Sequence, residues 1–120
     1  GRPSDRPRIT MTRSLSLIYS TFGSEEEARD VAKILLQEKL IACANHFAPI
    51  VSQYEYQGEF HEDREFPVLF KTAAKLAKPA GDRLLALHGF ETPAIIHWKA
   101  EASNPGYEKW LSGQLINPLR

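Results

Sequence analysis

Residues 40–72 restrict the possible folds more than any other stretch. They read LIACANHFAPIVSQYEYQGEFHEDREFPVLFKT. Ile41 to Ala48 is apolar and small. Ser52 to Phe60 alternates, with Tyr54, Tyr56 and Phe60 opposed to Gln53, Glu55, Gln57 and Glu59. Glu65 to Thr72 alternates again, with Phe66, Val68 and Phe70 opposed to Leu69 and Lys71. Period-two alternation rich in aromatic and β-branched residues predicts strands. The polar run His61-Glu62-Asp63-Arg64 is read as a solvated turn between the last two. The centre is therefore an antiparallel hairpin carrying a row of rings on one face.

The flanking segments supply helices. Leu15 to Thr21 is a first strand, followed by a Phe22-Gly23 turn. Ser24-Glu25-Glu26-Glu27 has the form of a capping box, in which Glu27 reaches back to the Ser24 amide. The helix it opens runs to about Glu38, with Ala28, Val31, Ala32, Leu35 and Leu36 on one stripe. Ala73 to His88 reads as a second helix, regular from about Lys78, with Pro79 tolerated in its first turn and Gly89 as its cap. Ala94 to Ala100 is a further strand. Asn104 caps a short last helix with Pro105 at its first position, and Gly113 begins a tail.

Strand, helix, hairpin, helix, strand is the split βαβ order of a ferredoxin-like α+β sandwich. Right-handed crossovers put both helices on one face of the sheet and leave the other bare. Pro67 sits awkwardly in a central strand and is assigned to that strand's first residues. A bare face bearing rings predicts self-association. Each large aromatic side chain buried contributes on the order of 1.5–3 kcal/mol.

At 120 residues the chain is one domain. Residues 1–12 are Arg- and Pro-rich, read as a disordered leader or tag remnant with Met11 as the natural start, and 13–120 form the domain. Net charge is zero, which argues against a nucleic-acid or membrane-surface partner. No apolar run reaches the length of a membrane span, and no secretory signal is seen. The single cysteine, Cys43, fits a cytoplasmic protein.

Five stretches carry a family resemblance. They are residues 38–45 (EKLIACAN), 52–59 (SQYEYQGE), 65–72, 88–96 (HGFETPAII) and 104–111 (NPGYEKWL). In this order and spacing the chain resembles the CutA divalent-cation tolerance proteins. The resemblance implies a ferredoxin-like homotrimer, similar to the PII signalling proteins, whose long hairpins reach between subunits. It also implies a role in tolerance to copper and other divalent cations, with no catalytic reaction. Departures from the pattern are Ser20 where some relatives carry cysteine, Leu87-His88 in place of paired histidines, Gly89-Phe90 in place of proline and tyrosine, and Tyr56 in place of tryptophan.

His88 is the candidate ligand for Cu2+ or another divalent cation, since imidazole suits copper, though one ligand is not a site. A helix-terminal histidine is the plainer reading. Cys43 lies among small apolar residues and reads as structural. Lys71, with Glu91 or Glu65, is expected to line a polar cleft between subunits that takes a small anion; an inter-subunit salt bridge would explain the same charges. Cys43, Asn45, Ser52, Tyr54, Tyr56, Gly58, Glu65, Lys71, Glu91, Pro93 and Trp110 make up the expected cleft or interface set. An RNA binder on this fold would need a Lys/Arg-Gly-aromatic signature, which is missing. A phosphatase-like enzyme would need an anion cradle after the first strand, where Thr21-Phe22-Gly23-Ser24 has one glycine and no arginine.

Overall fold

A computed structural model describes residues 15–101 and 103–116. The proposed leader and the last four residues lie outside them. The elements are β1 (Leu15–Phe22), α1 (Glu25–Gln37), β2 (Cys43–His46), β3 (Ile50–Tyr56), β4 (Glu59–Ala73), α2 (Ala77–Leu87), β5 (Ile95–Lys99) and α3 (Pro105–Gly113). A short 3-10 turn, Ala74–Leu76, leads into α2, so Pro79 does fall in the first helical turn. The sheet order is β2-β4-β1-β5, antiparallel throughout, with β3 paired to the outer half of β4. This is the ferredoxin-like arrangement, with one strand extended into an arm.

The core lies between the sheet and the two long helices. Ile18, Phe22, Val68 and Phe70 point from the strands into Ala28, Val31, Leu35, Ala80 and Leu84. Phe22 and Phe70 meet edge to face, 6.4 Å between centroids at 79°. Leu36, expected on the buried stripe of α1, is 41% exposed. Arg83 of α2 grips the Glu38 carboxylate with two hydrogen bonds of 2.9 and 2.8 Å, which ties the helices together at the surface. That guanidinium holds the Glu38 carboxyl below its ordinary value.

The opposite face is built by the other parity. Register places Cys43, Lys71, Leu17 and Trp98 in one row across it, and Asn45, Leu69, Tyr19 and Ile96 in the next. Ile96 and Trp98 are exposed, while α3 covers the far end, where Leu111 packs on Leu15 and Ala42. A bare face is thus present, as expected. Its apolar residues come from β1, β4 and β5, and the hairpin rings lie beyond it.

The hairpin differs from expectation in two ways. Its turn is Gln57-Gly58, with φ of 54° and 80°, and not His61–Arg64. Two consecutive positive φ values make the tight primed turn that matches strand twist, and glycine takes the second at no steric cost. His61 to Arg64 are strand residues, paired with Tyr54 to Val51. The shift also moves Phe60, which opposes Glu55 and shares a face with it, away from Tyr54 and Tyr56.

Pro67 is midway along β4, not at its start. Its carbonyl accepts the Phe47 N–H at 3.0 Å on the edge that faces β2. Residues 47–49 separate β2 from β3 at this point, so the absent proline N–H falls where the partner strand is interrupted.

Candidate functional site

The arm formed by β3 and the outer half of β4 stands against the loop after α2, and a cleft of about 820 Å3 lies between them. Thr21 and Gly23, at the end of β1, form its base. Tyr54, Tyr56, His61, Asp63 and Glu65 line the arm side; Gly89, Phe90, Glu91 and Thr92 line the loop side.

Cross-strand register sets the arm side. Tyr54 opposes His61, and their rings stack at 5.2 Å. The Tyr54 hydroxyl donates to the Asp63 carboxylate. That bond, with burial and the charges of Asp63 and Glu65 added, raises the Tyr54 pKa. Ser52 donates to Glu65 at 2.7 Å. Arg64 also lines the cleft, and its guanidinium lies 5.9 Å from the Phe66 ring centre.

The loop side is held by α1 and His88. Ser24 caps α1 by accepting the Glu27 N–H at 3.1 Å. The second half of the capping box is not formed: the Glu27 carboxylate accepts the Gly89 N–H at 2.6 Å instead. Gly89 has no left-handed φ, so its role is not the helix cap expected of it. A Cβ there would lie 2.3 Å from Glu27 Oε2, so any other residue shifts the carboxylate from this position. His88 stacks flat on Phe22 at 4.5 Å and tilts against Phe90 at 5.0 Å. Its Nδ1 accepts the Phe90 N–H at 3.1 Å, so the ring proton sits on Nε2 and is donated to the Thr21 carbonyl at 2.8 Å.

Both nitrogens of His88 are engaged with backbone. Among the described residues, no three His, Cys, Asp or Glu side chains converge to hold an ion. The donors among the described residues of one chain do not fit a resident metal.

Of the residues singled out from sequence, the cleft gathers Tyr54, Tyr56, Glu65 and Glu91, and Ser52 joins through Glu65. Gly58 is at the arm tip. Cys43, Asn45 and Lys71 lie on the bare sheet face, and Lys71 Nζ is 5.8 Å from the Tyr107 ring centre. Lys71 is therefore not in the cleft that Glu65 and Glu91 share within one chain. Trp110 stacks on Tyr107. Pro93 lines a separate groove with Lys78 and His97. From the sequence, His61 and Asp63 read as a solvated turn able at most to hold a hard cation loosely, and Phe90 and Glu27 were not placed at a site. Placing the turn at Gln57-Gly58 would have brought the first two to Tyr54 and Ser52.

Comparison with known proteins fits this architecture. The profile of the family described as CutA1 divalent ion tolerance protein matches residues 16–114. A divalent-cation tolerance protein CutA from Thermotoga maritima is 42% identical over 100 residues, covering 83% of this chain and 98% of the relative. Its counterpart from Pyrococcus horikoshii is 38% identical over 95 residues, covering 79% and 92%. The crystal structure of the divalent ion tolerance protein CutA1 from Ehrlichia chaffeensis superposes with a TM-score of 0.83 at 34% identity, covering 88% of this chain and 98% of that one. With matches spanning nearly all the described residues, this chain belongs to the CutA1 divalent ion tolerance protein family.

Proposed function

We propose that the chain acts as a homotrimer in the response to divalent cations, by binding and not by catalysis. The observation that carries the assembly is the bare sheet face. Trp98 is 45% exposed and Ile96 56%, and the arm adds Val51 at 68% and Phe60 at 70%. Apolar residues gathered on a face and an arm mark an interaction surface. A second copy fits best because the arm offers an unpaired edge, β3, and the core offers another, β5. A trimer follows the family resemblance. Substituting Trp98→Glu tests the surface: dissociation of the particle with retained fold supports it, and an unchanged mass counts against it.

The family is described by tolerance and by no reaction, which supports the binding role. With the His88 nitrogens taken, a cation such as Cu2+ is held by donors drawn from more than one copy. Copper titration of wild type and His88→Ala then gives matching affinities; a large loss in the variant overturns this assignment.

A second reading, a PII-like trimer that binds a small metabolite and has no metal role, is favoured by the cleft itself. It is preformed, of ligand size, and lined by rings and a few polar groups. The expected anion depended on Lys71, which stands elsewhere in one chain. Among the described residues no helix is long and apolar enough to cross a membrane. Cytoplasmic placement rests on the lone Cys43, whereas an Archaeoglobus fulgidus CutA is described as periplasmic.

A further inference from the structure

The cleft has carboxylates on both sides and aromatic rings on both sides. Asp63 and Glu65 come from the arm and Glu91 from the opposing loop. Tyr54 and Tyr56 face Phe90 across the gap. Asp63 and Glu65 accept bonds from neutral hydroxyls, and none of the three carboxylates joins an ion pair among the described residues. One cation, Arg64, also lines the cleft, with its guanidinium over the Phe66 ring, so the three carboxylates outnumber it.

The negative charge is also spread out. Among the described residues these groups do not converge on a single point as a metal ion requires. Carboxylates set apart along aromatic walls suit an extended organic cation. Its ammonium groups meet the carboxylates, and its methylenes, carrying partial positive charge next to nitrogen, lie on ring faces. The space of about 820 Å3 accommodates such a molecule.

We propose that this cleft binds an aliphatic di- or polyamine. The inference deepens the small-ligand reading above and rests on it. It reverses the sign of the ligand, because the lysine that argued for an anion is absent from the cleft within one chain.

Isothermal titration with spermidine tests it, with Mg2+ as a charge control. Three proteins are compared: wild type, the double variant Asp63→Asn/Glu91→Gln, and Glu101→Gln, whose carboxylate lies outside the cleft. The expected result is saturable binding of one spermidine per chain, weakened about tenfold in the double variant and unchanged in Glu101→Gln. Three results overturn it: no saturable heat with wild type, equal affinity in all three proteins, or competition by Mg2+ at equal concentration. A cleft already filled by a second copy gives the first of these. Mass measured on the same samples separates the two readings. A trimer that ignores spermidine overturns the ligand and leaves the assembly standing; a monomer that binds it does the reverse.

Discussion

The Glu27 carboxylate accepts the Gly89 amide at 2.6 Å, across 62 residues of chain. It pins the loop wall of the cleft to the first turn of α1. A charge-assisted bond of this kind is roughly twice as strong as a neutral one. Gly89→Ala places a methyl 2.3 Å from Glu27 Oε2 and forces the carboxylate out. The carboxylate end is free to swing aside, so we expect only the loss of the bond itself, about 1 kcal/mol in urea unfolding with the slope unchanged. Glu27→Gln, which keeps the size and removes the charge, should lose less.

Ser20 presents the opposite case. Its side chain is buried, and Oγ has no hydrogen-bond partner among the described residues. Its neighbours Ser16 and Thr72 donate to the Trp98 and Leu40 carbonyls. Removing an unsatisfied hydroxyl relieves a desolvation cost. Ser20→Ala should therefore raise stability by about 1 kcal/mol, read as a higher midpoint in thermal unfolding. A fall of that size would mean that the hydroxyl has a partner.

The arm turn holds a glutamine at φ 54°, where side chains with a Cβ are strained. Asparagine tolerates this conformation better, and Asn-Gly is the favoured pair for a primed turn. Gln57→Asn should add about 0.5 kcal/mol to the arm and slow amide exchange in β3 relative to β1. Equal exchange in the two proteins would count against a turn at this position.

Tyr54 gives a pH signature. Donation to Asp63 favours the protonated phenol, so its folded pKa stands above the unfolded value. The stability this bond contributes is fully present below the unfolded pKa of about 10 and is lost as pH rises through the folded one. Tyr54 should ionise above the ordinary tyrosine value in an absorbance titration. Asp63→Asn should bring that ionisation down, and Tyr54→Phe should remove it. A titration curve unchanged by Asp63→Asn would contradict the contact.

Much of this was legible in the chain. Alternation at Leu15–Thr21 and Glu65–Thr72, the stripe from Ala28 to Leu35, and the Asn104-Pro105 start identify elements through local rules, and those rules held. Register was harder. Gln57-Gly58 lacks the usual Asn-Gly form, and the charged run at 61–64 looks like a turn because that part of the arm is solvated on both faces. A strand with no buried face loses the contrast that makes alternation readable. The misplaced turn then hid Asp63 and His61 from the site. Glu27 was hidden for another reason. Its capping-box position satisfies a local rule, while its partner is brought in by tertiary packing. Lys71 shows the same limit, since only the fold reveals Tyr107 beside it.

One subunit exposes Trp98, Ile96 and the arm, and in the proposed trimer further copies cover them. Sedimentation equilibrium of the purified chain at micromolar concentration tests this directly. A trimer gives a single species of about three times the 13.6 kDa chain mass, stable to dilution. A folded species at the mass of one chain, with its tryptophan emission that of a water-exposed ring, would contradict it.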